Sequence, residues 1–181
     1  MSISYFSAMG LRRFFFILLL ALAFGCADET QPEKSWEEIV ATNDPGDFRG
    51  INIGDDIVKV LDKESSNVVH TMPDELTCRI PLDQKESTFY EITYNFNEHG
   101  LYVIDLIIYP QDSADTQELF SEFKDYYDKK YGASSDSDGF TAWYTKSGAG
   151  SDLEISMIDE SEEKGRPFLS ITFFEADGIA P

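Results

Sequence analysis

The sequence predicts an α+β fold, a two-layer sandwich in which helices pack on one face of an antiparallel sheet. Apolar and polar residues alternate along several short stretches, which is the pattern of a half-buried strand. Two other stretches carry apolar residues at the three- and four-residue spacing of an amphipathic helix. These elements follow one another as helix, three strands, helix, three strands, and this order favours helices layered on an antiparallel sheet.

The first predicted helix follows an apolar lead-in at residues 48–54, which we interpret as a short strand or extended segment. Asp55 caps the helix, and Ile57, Val58 and Leu61 recur at helical spacing up to residue 64. An apolar strand, a Gly, a capping residue and a Val-bearing helix thus follow one another over 48–61. In this respect the chain resembles the small periplasmic lipoproteins of the SmpA/OmlA and β-lactamase-inhibitor-like group. The resemblance implies helices on one face of an antiparallel sheet, and a role in outer-membrane assembly or enzyme inhibition.

Three strands are predicted after this helix, at residues 75–82, 88–97 and 101–109. Their alternate apolar residues are expected to face the helices: Leu76, Cys78, Ile80 and Leu82, then Tyr90, Ile92, Tyr94 and Phe96, then Tyr102, Ile104, Leu106 and Ile108. A turn at 97–100, in which Gly100 can adopt a positive φ, joins the last two strands into a hairpin. The third strand is largely apolar on its other face as well, with Leu101, Val103, Asp105, Ile107 and Tyr109.

The second helix is predicted to begin at Asp115, where Glu118 completes a capping box, and to end before Gly132. Three more strands follow at 140–145, 152–158 and 168–174, separated by loops that contain Gly and Ser. Residues 48–181 therefore form one domain with two α-β-β-β halves, 48–110 and 111–181. Only the order of elements relates the halves, because no residue-level repeat does.

The N-terminal residues have the organisation of an export signal. Arg12 and Arg13 precede an uninterrupted apolar run at 14–24, and Gly25 and Cys26 close it. The run is shorter than the roughly 20 apolar residues of a membrane-spanning helix. Residues 22–26 resemble the lipobox of bacterial lipoproteins, which implies a signal peptide at 1–25 and acyl chains on Cys26. A secreted chain without lipid, or an uncleaved anchor, is the alternative.

Residues 26–47 are then a polar tether with a short helix, and the lipid on Cys26 would hold the protein in the bacterial cell envelope, at the outer membrane. Cleavage before Cys26 removes two of the 14 basic residues, which leaves 12 against 34 acidic ones and a formal charge of −22. So acidic a chain repels nucleic acid phosphates, and we exclude that class of partner. A basic partner protein, a cation or simple solubility each explain the acidity.

Three sequence patterns resemble chemical sites but fit structural roles better. Cys78 could act as a nucleophile with His70 or His99, yet it lies on the apolar face of its strand, as a buried free cysteine does. The acidic run at 136–139 lacks the further ligands of a calcium loop. The loop at 147–151 joins two strands, whereas a phosphate loop opens a helix. We therefore expect no catalytic activity, metal or cofactor.

The second face of the strand at 101–109 is the feature that most indicates a function, namely protein binding. We expect Val103, Asp105, Ile107 and Tyr109 to form a protein-docking surface there, with Trp143 joining them from a neighbouring strand. The alternative is that other parts of the fold cover this face. The sequence thus predicts a lipid-anchored protein-binding, scaffold or inhibitor module whose partner is a basic envelope or secreted protein. A calcium- or glycan-binding, or hydrolytic, surface lipoprotein of a nutrient-uptake system is the alternative function.

Overall fold

The computed structural model describes residues 40, 45–82, 89–137 and 139–176. All of them belong to the second of two compact units, 33–181. The elements are α1 (Ile57–Glu64), β1 (Val68–Met72), β2 (Glu75–Pro81), β3 (Phe89–Asn97), β4 (Gly100–Ile108), α2 (Ser113–Tyr131), β5 (Ser135–Ser137), β6 (Phe140–Lys146), β7 (Asp152–Asp159), α3 (Ser161–Lys164) and β8 (Leu169–Glu175). Within the described ranges no helix is long and apolar enough to cross a membrane. The predicted signal peptide and Cys26 lie outside the described residues.

The strands form one antiparallel sheet in the order β1-β2-β3-β4-β8-β7-β6-β5. Each half is a meander of four neighbouring strands, and the halves join where β4 pairs with β8. The predicted α+β fold is therefore confirmed. Each half has one more strand than predicted, because β1 and β5 lie at the two edges of the sheet. The edge strand β1 is largely exposed and shows no alternation, and β5 spans only three residues, so neither gives a periodic signal.

One face of the sheet carries the core, and both long helices pack against it. From α1, the Glu64 carboxylate accepts a hydrogen bond from the Tyr94 hydroxyl on β3, at 3.0 Å. From α2, the Tyr127 ring lies 5.2 Å from Trp143 on β6 and 6.1 Å from Phe173 on β8, between ring centroids. These contacts place both helices on the same face of the sheet, as the sequence predicts.

The lead-in before α1 is a tight turn that packs into this core. Phe48 and Ile51 pair across it, and Arg49 takes the left-handed conformation at φ 53°. The Phe48 ring lies 5.2 Å from the ring of Phe173, and Ile51 is fully buried. We predicted a strand or extended segment here, whereas the chain reverses within four residues. Val40, which precedes this turn, is buried too, so the packed domain begins before residue 48.

Both long helices begin at an Asp adjacent to, or shortly before, the predicted cap. Asp56 accepts the backbone N–H of Lys59 at the start of α1, where we predicted Asp55. At the start of α2, Asp112 accepts two backbone N–H groups, and the predicted cap Asp115 lies within the first turn. An N-terminal Asp satisfies helix N–H groups that have no partner inside the helix, and neighbouring Asp residues compete for this role.

A bulge changes the predicted alternation at the start of β4. Asn95 pairs with Val103 and Phe96 with Leu101, so Tyr102 is an extra residue in β4. As a result Leu101 is buried and Tyr102 is 42% exposed, the reverse of our prediction. An unpaired extra residue shifts the two-residue period by one step, and the sequence pattern alone does not reveal it.

Candidate protein-docking face

The side of the sheet opposite α1 and α2 is uncovered by either helix, and we call it the open face. Its central part consists of the half-buried or exposed residues that alternate with the core: Val103, Asp105 and Ile107 on β4, Thr93 and Asn95 on β3, Thr172 and Phe174 on β8, Glu154 and Ser156 on β7, and Tyr144 on β6. Their counterparts on the helix-covered face are nearly all buried. The predicted residues Val103, Asp105 and Ile107 thus share one surface.

The strand register arranges the centre of the open face in three rows. Val103 lies between Asn95 and Phe174, and Ile107 lies between Glu91 and Ser170. Between these two rows, Asp105 lies between the two threonines Thr93 and Thr172. A polar row that centres on a carboxylate is therefore bordered along the strand by an aliphatic side chain on each side.

Asp105 is half-buried although the face is open. Its Oδ1 accepts the hydroxyl proton of Thr172 at 2.9 Å, and its Oδ2 lies 3.4 Å from the amide nitrogen of Asn95. Burial raises the pKa of Asp105 above its ordinary value, and the Thr172 hydrogen bond opposes this only in part. The sheet thus holds a partly desolvated carboxylate at its centre.

Tyr109 belongs to an aromatic cluster at one end of the open face. Its ring centroid lies 4.8 Å from Phe89 and 5.5 Å from Phe168. Two guanidinium groups stack on these rings, Arg166 at 4.7 Å from the Tyr109 ring and Arg79 at 4.4 Å from the Phe89 ring. Cation–π contacts of this kind hold long side chains in one place. Phe89 was not among the predicted residues of this face, although its position opposite Tyr109 in the predicted hairpin could have indicated it.

Trp143 is not part of the open face. It is 1% exposed and pairs with Ile155, so it points towards α2 with the core residues. There its indole Nε1–H donates a hydrogen bond to Asp128 Oδ1 at 2.9 Å. Its neighbour Tyr144, 48% exposed, occupies the open face at this strand. The prediction for Trp143 was wrong because the pairing of β6 with β7 decides which of its residues face the helices. A shift of one residue in that pairing moves every side chain to the other face.

The size of the open face suits a protein partner. Six adjacent strands, from β2 to β6 across the sheet, have seven or more residues each. At about 4.8 Å per strand and about 3.3 Å per residue, they span about 29 Å by 23 Å, or about 650 Å². A stable protein complex takes about 800 Å² from each partner. The open face therefore supplies most of one partner's share of an interface.

The candidate nucleophile and the candidate phosphate loop both take part in the packing of the fold. Cys78 is buried beneath α1, and burial raises the pKa of its thiol to about 12, so the reactive thiolate does not form near neutral pH. His70 pairs with Thr77, whose side chain points to the face opposite Cys78. In the loop after β6, the Ser147 N–H donates to the Ser151 carbonyl at 2.9 Å and the Gly150 N–H to the Ser147 carbonyl at 2.9 Å, which confirms the predicted turn.

The calcium-like run falls partly on residue 138, which lies outside the described residues. Asp136 lies on β5 and accepts the Thr141 hydroxyl at 2.9 Å. Within the described ranges no three His, Cys, Asp or Glu side chains come together as metal ligands would.

Comparison of the whole chain with known protein families, characterised proteins and solved structures gives no match. The resemblance to the SmpA/OmlA and β-lactamase-inhibitor-like group therefore stays a prediction.

Proposed function

We propose that this protein is an exported, lipid-anchored envelope protein that binds a basic partner protein through its open face, without catalysis. The observation that carries the proposal is the sheet face of about 650 Å² that neither α1 nor α2 covers, with Val103 and Ile107 near its centre. Aliphatic side chains on a face of this extent supply affinity when a partner removes them from water. Scaffold and inhibitor or immunity-type roles both follow from such binding.

The charge of the chain favours a basic partner over a second copy of the same protein. After cleavage before Cys26 the formal charge is −22, and two copies meeting face to face would oppose Asp105 and Glu154 with like charges. Like charges in contact disfavour association, whereas a basic surface is attracted over a distance and binds faster. Apolar contacts then supply most of the affinity.

The first experiment tests the tether. The intact mass of the chain, expressed in a bacterium, is expected to equal residues 26–181 plus acyl chains. Cys26→Ala should abolish both the acyl mass and membrane retention. A wild-type chain that is cleaved but carries no lipid would overturn the tether and leave a soluble exported binder.

The second experiment tests the open face in the organism that carries the gene. A photo-crosslinking amino acid replaces Ile107, and a matched control places it at Glu118, an exposed residue of α2 on the opposite side of the sheet. We expect a protein of basic composition to crosslink at 107, with at least tenfold lower yield at 118. Equal yields, or no adduct at 107, would contradict the proposed docking surface.

A further inference from the structure

We propose that Asp105 is the residue by which the open face selects its partner, by receiving the guanidinium or ammonium group of a basic side chain. This inference rests on the proposed function, because it takes the open face as the docking surface. Beyond that function, it identifies Asp105 as the residue that decides specificity and a guanidinium or ammonium group as what the partner must present.

The position of Asp105 is that of a central anchor. It lies on β4, one of the two middle strands of the sheet, with Val103 and Ile107 two residues away on either side. Thr93 and Thr172 lie beside it on the two neighbouring strands. A partner that covers these residues removes water from around the carboxylate, and binding energy concentrates in contacts near the centre of an interface that lose their water.

The hydrogen bonds of Asp105 leave acceptor capacity unused. A carboxylate has about four acceptor positions. Here Oδ1 accepts one hydroxyl at 2.9 Å, and Oδ2 has only the Asn95 amide at 3.4 Å, which is a long contact. The unused positions belong to a group on an open surface, within reach of a partner's N–H donors.

Three other buried or half-buried carboxylates of the fold already have strong donors. Glu64 is bonded to Arg49, and Glu91 to Arg79. Asp47 accepts the backbone N–H groups of Ile53 and Gly148 at 2.9 and 2.8 Å. Asp105 has weaker support than these three: one hydroxyl donor, one long amide contact, and no ion pair with a Lys or Arg among the described residues.

An unpaired and partly desolvated charge is unfavourable in the free protein and favourable in the right complex. The carboxylate has already lost part of its hydration, so pairing with a cation costs it less than at a solvated site. A neutral or acidic side chain at the same place would leave the carboxylate buried without a partner. The same residue therefore attracts a basic partner and rejects the others.

The test uses the exported chain, labelled for NMR, and three small probes. Nα-acetyl-arginine amide and Nα-acetyl-lysine amide carry the two candidate groups, and Nα-acetyl-citrulline amide is the uncharged match of the first. We expect the charged probes to shift the backbone signals of Asp105, Ile107 and Thr172 with dissociation constants on the order of 10 mM, typical of a single charged contact. The stronger of the two charged probes identifies the group that the site prefers.

Two variants separate a docking role from a structural one. Asp105→Asn keeps the Thr172 contact geometry but should weaken the charged probes at least threefold, without lowering the melting temperature. Glu118→Gln removes the same charge from α2 and should change neither. Probe shifts spread evenly over the acidic surface, or unchanged by Asp105→Asn, would overturn the inference. If crosslinking at 107 is unchanged in the Asp105→Asn variant, the open face is a docking surface but Asp105 is not its anchor. If the chain with Asp105 intact gives no crosslink at 107, the docking surface itself is rejected.

Discussion

The buried ion pair between Arg49 and Glu64 gives the sharpest prediction about stability. Glu64 is 1% exposed, and its carboxylate accepts Arg49 Nε at 2.7 Å and Nη2 at 3.3 Å. It also accepts the Asn67 amide at 2.8 Å and the Tyr94 hydroxyl at 3.0 Å. The change Arg49→Ala removes two of these four hydrogen bonds, and with them the only positively charged donor among the four.

The loss is large because the carboxylate stays buried. Removing one partner of a buried ion pair costs about 3–5 kcal/mol, since the other charge is left without compensation. For a domain of this size that lowers the melting temperature by roughly 6–20 °C. Arg49 also holds φ at 53°, which costs a residue with a Cβ about 1–2 kcal/mol. Arg49→Gly should therefore be about 1 kcal/mol more stable than Arg49→Ala.

Urea unfolding followed by tryptophan fluorescence and circular dichroism measures these differences. The control is Arg79→Ala, which removes a half-exposed ion pair with Glu91 and the stacking on Phe89 and should cost about 1–2 kcal/mol. Burial raises the pKa of Glu64, but Arg49, Asn67 and Tyr94 together bring it below the ordinary value of 4.5. The stabilisation is therefore present above pH 4.5 and is lost as the pH falls through the lowered pKa. Equal costs for Arg49→Ala and Arg79→Ala at pH 7 would refute this reasoning.

Three further results are expected. Phe48→Ala removes a buried ring that packs on Phe173 and should cost about 3–5 kcal/mol in the same urea assay, against less than about 0.5 kcal/mol for the exposed Val69→Ala. Because the pKa of Asp105 is raised, its charge destabilises the fold once the pH exceeds that pKa, so Asp105→Asn should raise the melting temperature at pH 7 and leave it unchanged at pH 3, by calorimetry. Native Cys78, with a thiol pKa of about 12, should react with a disulfide reagent no faster than the protein unfolds, and rapid labelling of the folded chain would contradict its burial.

Local patterns were sufficient to predict the layers of the fold and much of the core. Strict alternation over residues 75–82 and 88–97 predicted two strands whose apolar sides face the helices, and Cys78 as one of the buried residues. The turn before Gly100 predicted the hairpin between β3 and β4. These features depend only on neighbouring residues, because the direction of a side chain in a strand is fixed by the two-residue period.

Only the tertiary structure decided which surface each element presents, because that depends on residues far away in the chain. The sequence determined that β4 is largely apolar on both sides, but the contacts of α1 and α2 decided which side stays open. Asp105 meets Thr172 across 67 positions, and pairing with β7 turns Trp143 inward and leaves Tyr144 outside. Glu64 is the last residue of α1, at the end of the charged run 62–64, yet Arg49 and Tyr94 enclose its carboxylate. Charge and period are local properties, whereas burial and pairing arise only when distant strands and turns pack together.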